Sequence, residues 1–74
     1  MTESALANEL IEQGEMRGLR ESLLRFLRGR FPAILSPEVR RAIADQPSLA
    51  LMRDWLDAAA TSNTADEFLA VLRR

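Results

Sequence analysis

Residues Glu9 to Phe31, ELIEQGEMRGLRESLLRFLRGRF, decide how this chain is read. Apolar residues recur at helical spacing along it: Leu10 and Ile11 first, then the denser stripe Met16, Leu19, Leu23, Phe26 and Leu27. Two glycines, Gly14 and Gly18, sit one helical turn apart where the two stripes fall out of register. Glycine costs about 1 kcal/mol relative to alanine in a helix interior, so a helix that continues across both implies a packing partner. Run unbroken from the N-terminus to Arg30, such a helix is about 40 Å long at 1.5 Å per residue. That is longer than a domain of 74 residues needs. The excess length points to a second chain.

Outward from this helix the chain breaks into short pieces. Gly29 and Phe31-Pro32 end the helix, because the residue before proline is driven out of helical dihedrals. Ser36-Pro37-Glu38 supplies a cap, a first-turn proline and an acid for a helix to about Asp45, with Val39, Ala42 and Ile43 inward. Gln46-Pro47-Ser48 interrupts again. A third helix over about 48–60 places Leu49, Met52, Trp55, Leu56 and Ala59 on one face. Thr64-x-x-Glu67 is a capping box opening a last helix with Phe68, Leu69, Val71 and Leu72 inside and Arg73 and Arg74 at its negative end. At the other terminus, Thr2 or Ser4 is the expected cap of the first helix, with Glu3 near its positive end. No segment reads as a strand.

The expected fold is therefore all-α: a long N-terminal helix, then three short helices packed as a small helical bundle. Residues 1–31 form the long helix with its glycine-spaced oligomerisation segment. Residues 32–74 form a small helical cap on its C-terminal half. A chain this short buries a modest core and gains from association. The expected interface is Leu6, Leu10, Gly14, Met16, Gly18, Leu19, Leu23, Phe26 and Leu27. On that reading Leu23→Asp dissociates a dimer or larger homo-oligomer.

Composition narrows the chemistry. The chain has no His, Cys, Lys or Tyr, which removes the usual general base and the strong nucleophiles. Its serines, at 4, 22, 36, 48 and 62, read as caps and surface residues. The acids Asp45, Asp54, Asp57, Asp66 and Glu67 read as a solvated face and first-turn acids rather than a magnesium site. No enzyme activity, metal or cofactor is expected. Gly14-x-x-x-Gly18 has the spacing of a membrane dimerisation motif, but Glu12, Glu15, Arg17 and Arg20 around it exclude that environment. The acidic start, MTESALANEL, lacks the basic and apolar regions of a signal peptide, so a soluble cytoplasmic protein is expected.

The net charge of −1 conceals segregation. Residues 1–15 carry Glu3, Glu9, Glu12 and Glu15 and no base, whereas Arg17, Arg20, Arg25, Arg28, Arg30, Arg40 and Arg41 fall within residues 16–41. That basic density is the candidate nucleic-acid contact, the alternative to assembly. Against it, Arg17–Glu21–Arg25 is an i,i+4 ladder, and the gradient suits both the helix dipole and an antiparallel pair of copies.

The order of features resembles a bacterial family. The glycine-spaced acidic helix leads into RESLLRFLRGRFPAILSPEVRRAIADQPSLALMRDWLDAAATSNTADEFLAVL. From about Glu9 to Leu72 this is similar to the C-terminal helical module of the PD-(D/E)xK transposase-like, or recombination-promoting, nucleases. There, Glu/Gly-rich helix repeats precede a Leu-Leu…Arg-x-Arg-Phe segment, then a short helix, a Trp-Leu helix and a capped final helix. The resemblance implies an accessory tail, with a role in assembling with or restraining a full-length nuclease bearing a matching tail. The nuclease core needs a sheet carrying acidic residues and a lysine. This chain has no lysine, so no catalytic residue carries over.

Overall fold

In the computed structural model the backbone is described for residues 2–74 and side chains from residue 7 onward. The expected cap at Thr2 or Ser4, the acid Glu3 and the interface position Leu6 lie outside the described side chains.

Four helices and one 3-10 turn follow in order: α1 (Thr2–Arg30), the turn Pro32–Ile34, α2 (Pro37–Asp45), α3 (Leu49–Thr61) and α4 (Ala65–Leu72). Among the described residues there is no strand. α1 runs through Gly14 and Gly18 without a break. It closes where Phe31 donates its N–H to the Leu27 carbonyl at 2.7 Å and leaves helical dihedrals ahead of Pro32. The 3-10 turn was not read from the sequence. Pro32 sets its first φ, and Leu35 N–H closes it on the Pro32 carbonyl.

The three later helices start on hydroxyl caps. Ser36 Oγ accepts from Val39 N–H, Ser48 Oγ from Leu51 N–H and Thr64 Oγ1 from Glu67 N–H, each at 3.2 Å. The expected capping box at Thr64 is displaced by one residue. Glu67 Oε2 accepts from the N–H of Asn63, not from that of Thr64 itself.

One core joins the long helix to the rest. Leu23 and Leu27 from α1, Ile43 from α2, Met52 and Ala59 from α3, and Phe68 from α4 are all buried, with Met16, Trp55 and Ala58 around them. α3 lies along the C-terminal half of α1 and makes its principal contact there, and α4 packs on α3. This corrects the reading of the apolar stripe. Met16, Leu23 and Leu27 are covered by the chain's own α2, α3 and α4, so they are not available as a surface for a second copy. Phe26 departs in the other direction. It belongs to the same stripe and is 43% exposed, because it lies about 100° around the helix from Leu27.

The molecule measures 46 × 20 × 20 Å. Its radius of gyration, 13.6 Å, exceeds the roughly 11 Å of a compact chain of this length. The excess is the N-terminal half of α1, on which every described side chain from Ala7 to Glu15 is exposed. No helix among the described residues is long and apolar enough to cross a membrane.

Candidate interaction surface on the long helix

α1 has two working faces. The inner one carries Met16, Leu19, Leu23 and Leu27 against the cap helices, with Leu19 half-buried at its edge. On the opposite side, helical spacing aligns Ile11, Gly14, Gly18 and Arg25, all exposed. Leu10 flanks that strip on one side and Phe26 on the other. Leu10 is 61% and Ile11 67% exposed, a large apolar area on the half of the helix where every described side chain from Ala7 to Glu15 is exposed.

The glycines are open. A Cβ built on Gly14 or Gly18 meets no atom within 4 Å, so neither glycine serves a close approach inside this chain. Both also have ordinary helical φ. Within the protomer, then, they only weaken the helix. In samples dilute enough to be monomeric, Gly14→Ala with Gly18→Ala is expected to raise stability by about 1 kcal/mol per site, read as a higher midpoint in chemical denaturation. A lower midpoint that appears only at high protein concentration would mean that a second copy rests on those positions.

The fold gives several of the arginines partners within the chain. Arg20 extends to α2, donating from Nε to the Ile43 carbonyl at 3.2 Å and from a terminal nitrogen to the Gln46 carbonyl at 2.9 Å. Arg30 donates to the Ala59 carbonyl in the last turn of α3 at 2.5 Å and lies over the Phe31 ring, 4.9 Å from its centroid. Both guanidinium groups thus satisfy orphan carbonyls at negative helix ends, a use no local pattern announces. Arg40 donates to the Leu35 carbonyl at 3.4 Å. Arg17 pairs with Glu21 at 3.4 Å, the expected i,i+4 contact. All of these arginines but the half-buried Arg20 are exposed, Arg25 and Arg28 on the outer side of α1 and Arg41 on α2.

Sequence reasoning missed one further pair. Arg53 on α3 binds the carboxylate of Glu15, tying the base of the projecting helix to the cap across 38 residues of chain. Both side chains are about half exposed, so the pair fixes a direction more than it adds stability.

No family model, curated protein or solved structure matches the chain. Among the described residues, no three carboxylates come together in a way that could hold a metal ion.

Proposed function

We propose that this protein is a non-catalytic assembly module whose α1 pairs with the α1 of a second copy through its outward strip. One observation carries the reading. Half of a long helix stands clear of the cap while presenting Leu10 and Ile11 to solvent. Burial of large aliphatic side chains is worth about 1.5–3 kcal/mol each, and a second helix is the surface that fits a straight apolar strip. Helices with small residues at the contact approach closely, and the open space around Gly14 and Gly18 accommodates that approach.

Charge favours an antiparallel arrangement. Glu9, Glu12 and Glu15 lie on one half of the helix, with Arg25 and Arg28 on the other. Crossing near Gly18 places the acidic half of each copy beside the basic half of its mate, with Ile11 along the aliphatic stem of Arg25. The cap helices, on the opposite side of α1, stay out of the way.

The biological role that this assembly suits, on the resemblance described above, is to join or restrain a transposase-like nuclease carrying a matching tail. Co-elution of the two proteins tests that part separately.

The assembly itself is tested by light scattering over a hundredfold dilution. The expected result is a mass above the monomer that falls on dilution, and a monomer at every concentration for Ile11→Asp with unchanged helicity at low concentration. A wild-type protein that stays monomeric throughout would end this reading.

A further inference from the structure

A second surface lies on the far side of α3 from α1. There the C-terminal ends of α2 and α4 flank α3 and leave an open groove of about 660 Å³. Its floor is apolar, formed by Trp55, Ala58, Val71 and Leu72, with Leu51 at the mouth and 45% exposed. Its rim is acidic. Asp54 and Asp57 stand one turn apart on α3, and Asp45 lines the groove from the end of α2. Among the described residues none of these three carboxylates has an arginine partner. Arg74 also lines the groove, leaving an excess of negative charge around an apolar floor.

Asp45 is the last residue of α2 and is exposed, next to the Ile43 and Gln46 carbonyls on which the Arg20 guanidinium sits. Asp54 and Asp57 share a face three residues apart, where like charges repel. Three exposed carboxylates beside an apolar floor match a ligand that brings the opposite charge with an apolar side chain.

We propose that this groove binds a cationic amphipathic segment of another protein. Large apolar side chains of that segment would cover Leu51 and the Trp55 floor, while two or three arginines or lysines meet the Asp45, Asp54 and Asp57 rim. Helix-in-groove recognition of this kind reads anchors at one-turn spacing, which is the spacing of Asp54 and Asp57. The site is separate from the outward strip of α1 and does not depend on self-association.

The test uses a tryptophan-free amphipathic peptide of leucine and arginine, and the same peptide with glutamate replacing arginine. Binding is followed by emission of Trp55, the single tryptophan, and by amide NMR shifts, on the wild-type chain and on Ile11→Asp. The arginine peptide is expected to bind saturably with shifts centred on Leu51 and Asp54, and the glutamate peptide not to bind. Asp54→Asn with Asp57→Asn should weaken binding about tenfold or more at low salt, with helicity unchanged. Asp45→Asn should also weaken binding. Equal binding of the two peptides, shifts mapping elsewhere, or unaltered affinity in the Asn variants would overturn the proposal. So would a loss of native mass in Asp54→Asn/Asp57→Asn without peptide, since the groove would then hold a second copy.

Discussion

Leu23→Asp is expected to abolish the fold at every protein concentration. Leu23 is fully buried between α1 and the cap helices. Removing its aliphatic volume costs about 2–5 kcal/mol, and a carboxylate left unpaired in that position costs several more. A domain of this size holds roughly 4–11 kcal/mol in total. The loss should therefore appear as collapse of the far-UV helical signal, in dilute and concentrated samples alike. That outcome differs from the one the apolar stripe suggests when read alone, in which the substitution separates copies. A folded Leu23→Asp monomer would show that Leu23 faces another chain and that the core has been misplaced. Ile11→Asp provides the contrast. It is on the exposed half of the helix and should leave the monomer intact.

Arg20→Met is expected to lower stability by about 2 kcal/mol, although it retains most of the apolar stem. Two bonds from one guanidinium to the Ile43 and Gln46 carbonyls are lost; hydrogen bonds from charged donors contribute about 1.5–3 kcal/mol net when buried, and Arg20 is only half-buried. The loss should concentrate in α2. Its amides should exchange faster than those of α3. Arg20→Lys should recover only part, because an ammonium lacks the planar fork that spans two carbonyls. Unchanged stability together with weakened binding to DNA or RNA would assign Arg20 to nucleic-acid contact instead of to holding α2.

The helix starts were legible because they rest on local chemistry. Ser36, Ser48 and Thr64 each bond within three residues of themselves, so sequence spacing alone identifies them. The apolar faces of α2, α3 and α4 were legible for the same reason. What periodicity cannot say is against what an apolar stripe is buried. Leu23 and Leu27 pack on their own chain, a fact set by how α3 returns along α1. The destinations of Arg20 and Arg30 depend on the same return, since the carbonyls they reach are 23 to 29 residues away. The groove was illegible for a related reason: Asp45, Asp54 and Asp57 line one groove only once α2 and α3 are packed. Phe26 shows how narrow the margin is, because one position of offset from Leu27 moves a phenylalanine from core to surface.

The projecting half of α1 also sets where the protein opens first. From Ala7 to Glu15 the helix has no apolar surface buried within its own chain, and its main side-chain tie to the cap is Glu15 to Arg53. Isolated helices of that length are marginal in water, and Gly14 lies within the stretch. Amide hydrogens N-terminal to Met16 should therefore exchange through local unzipping, while those around Leu23 and Leu27 wait for global unfolding. Pairing would close that gap, converting a frayed rod into a protected one. Slowed exchange at Leu10 and Ile11 would then report the partner's arrival residue by residue.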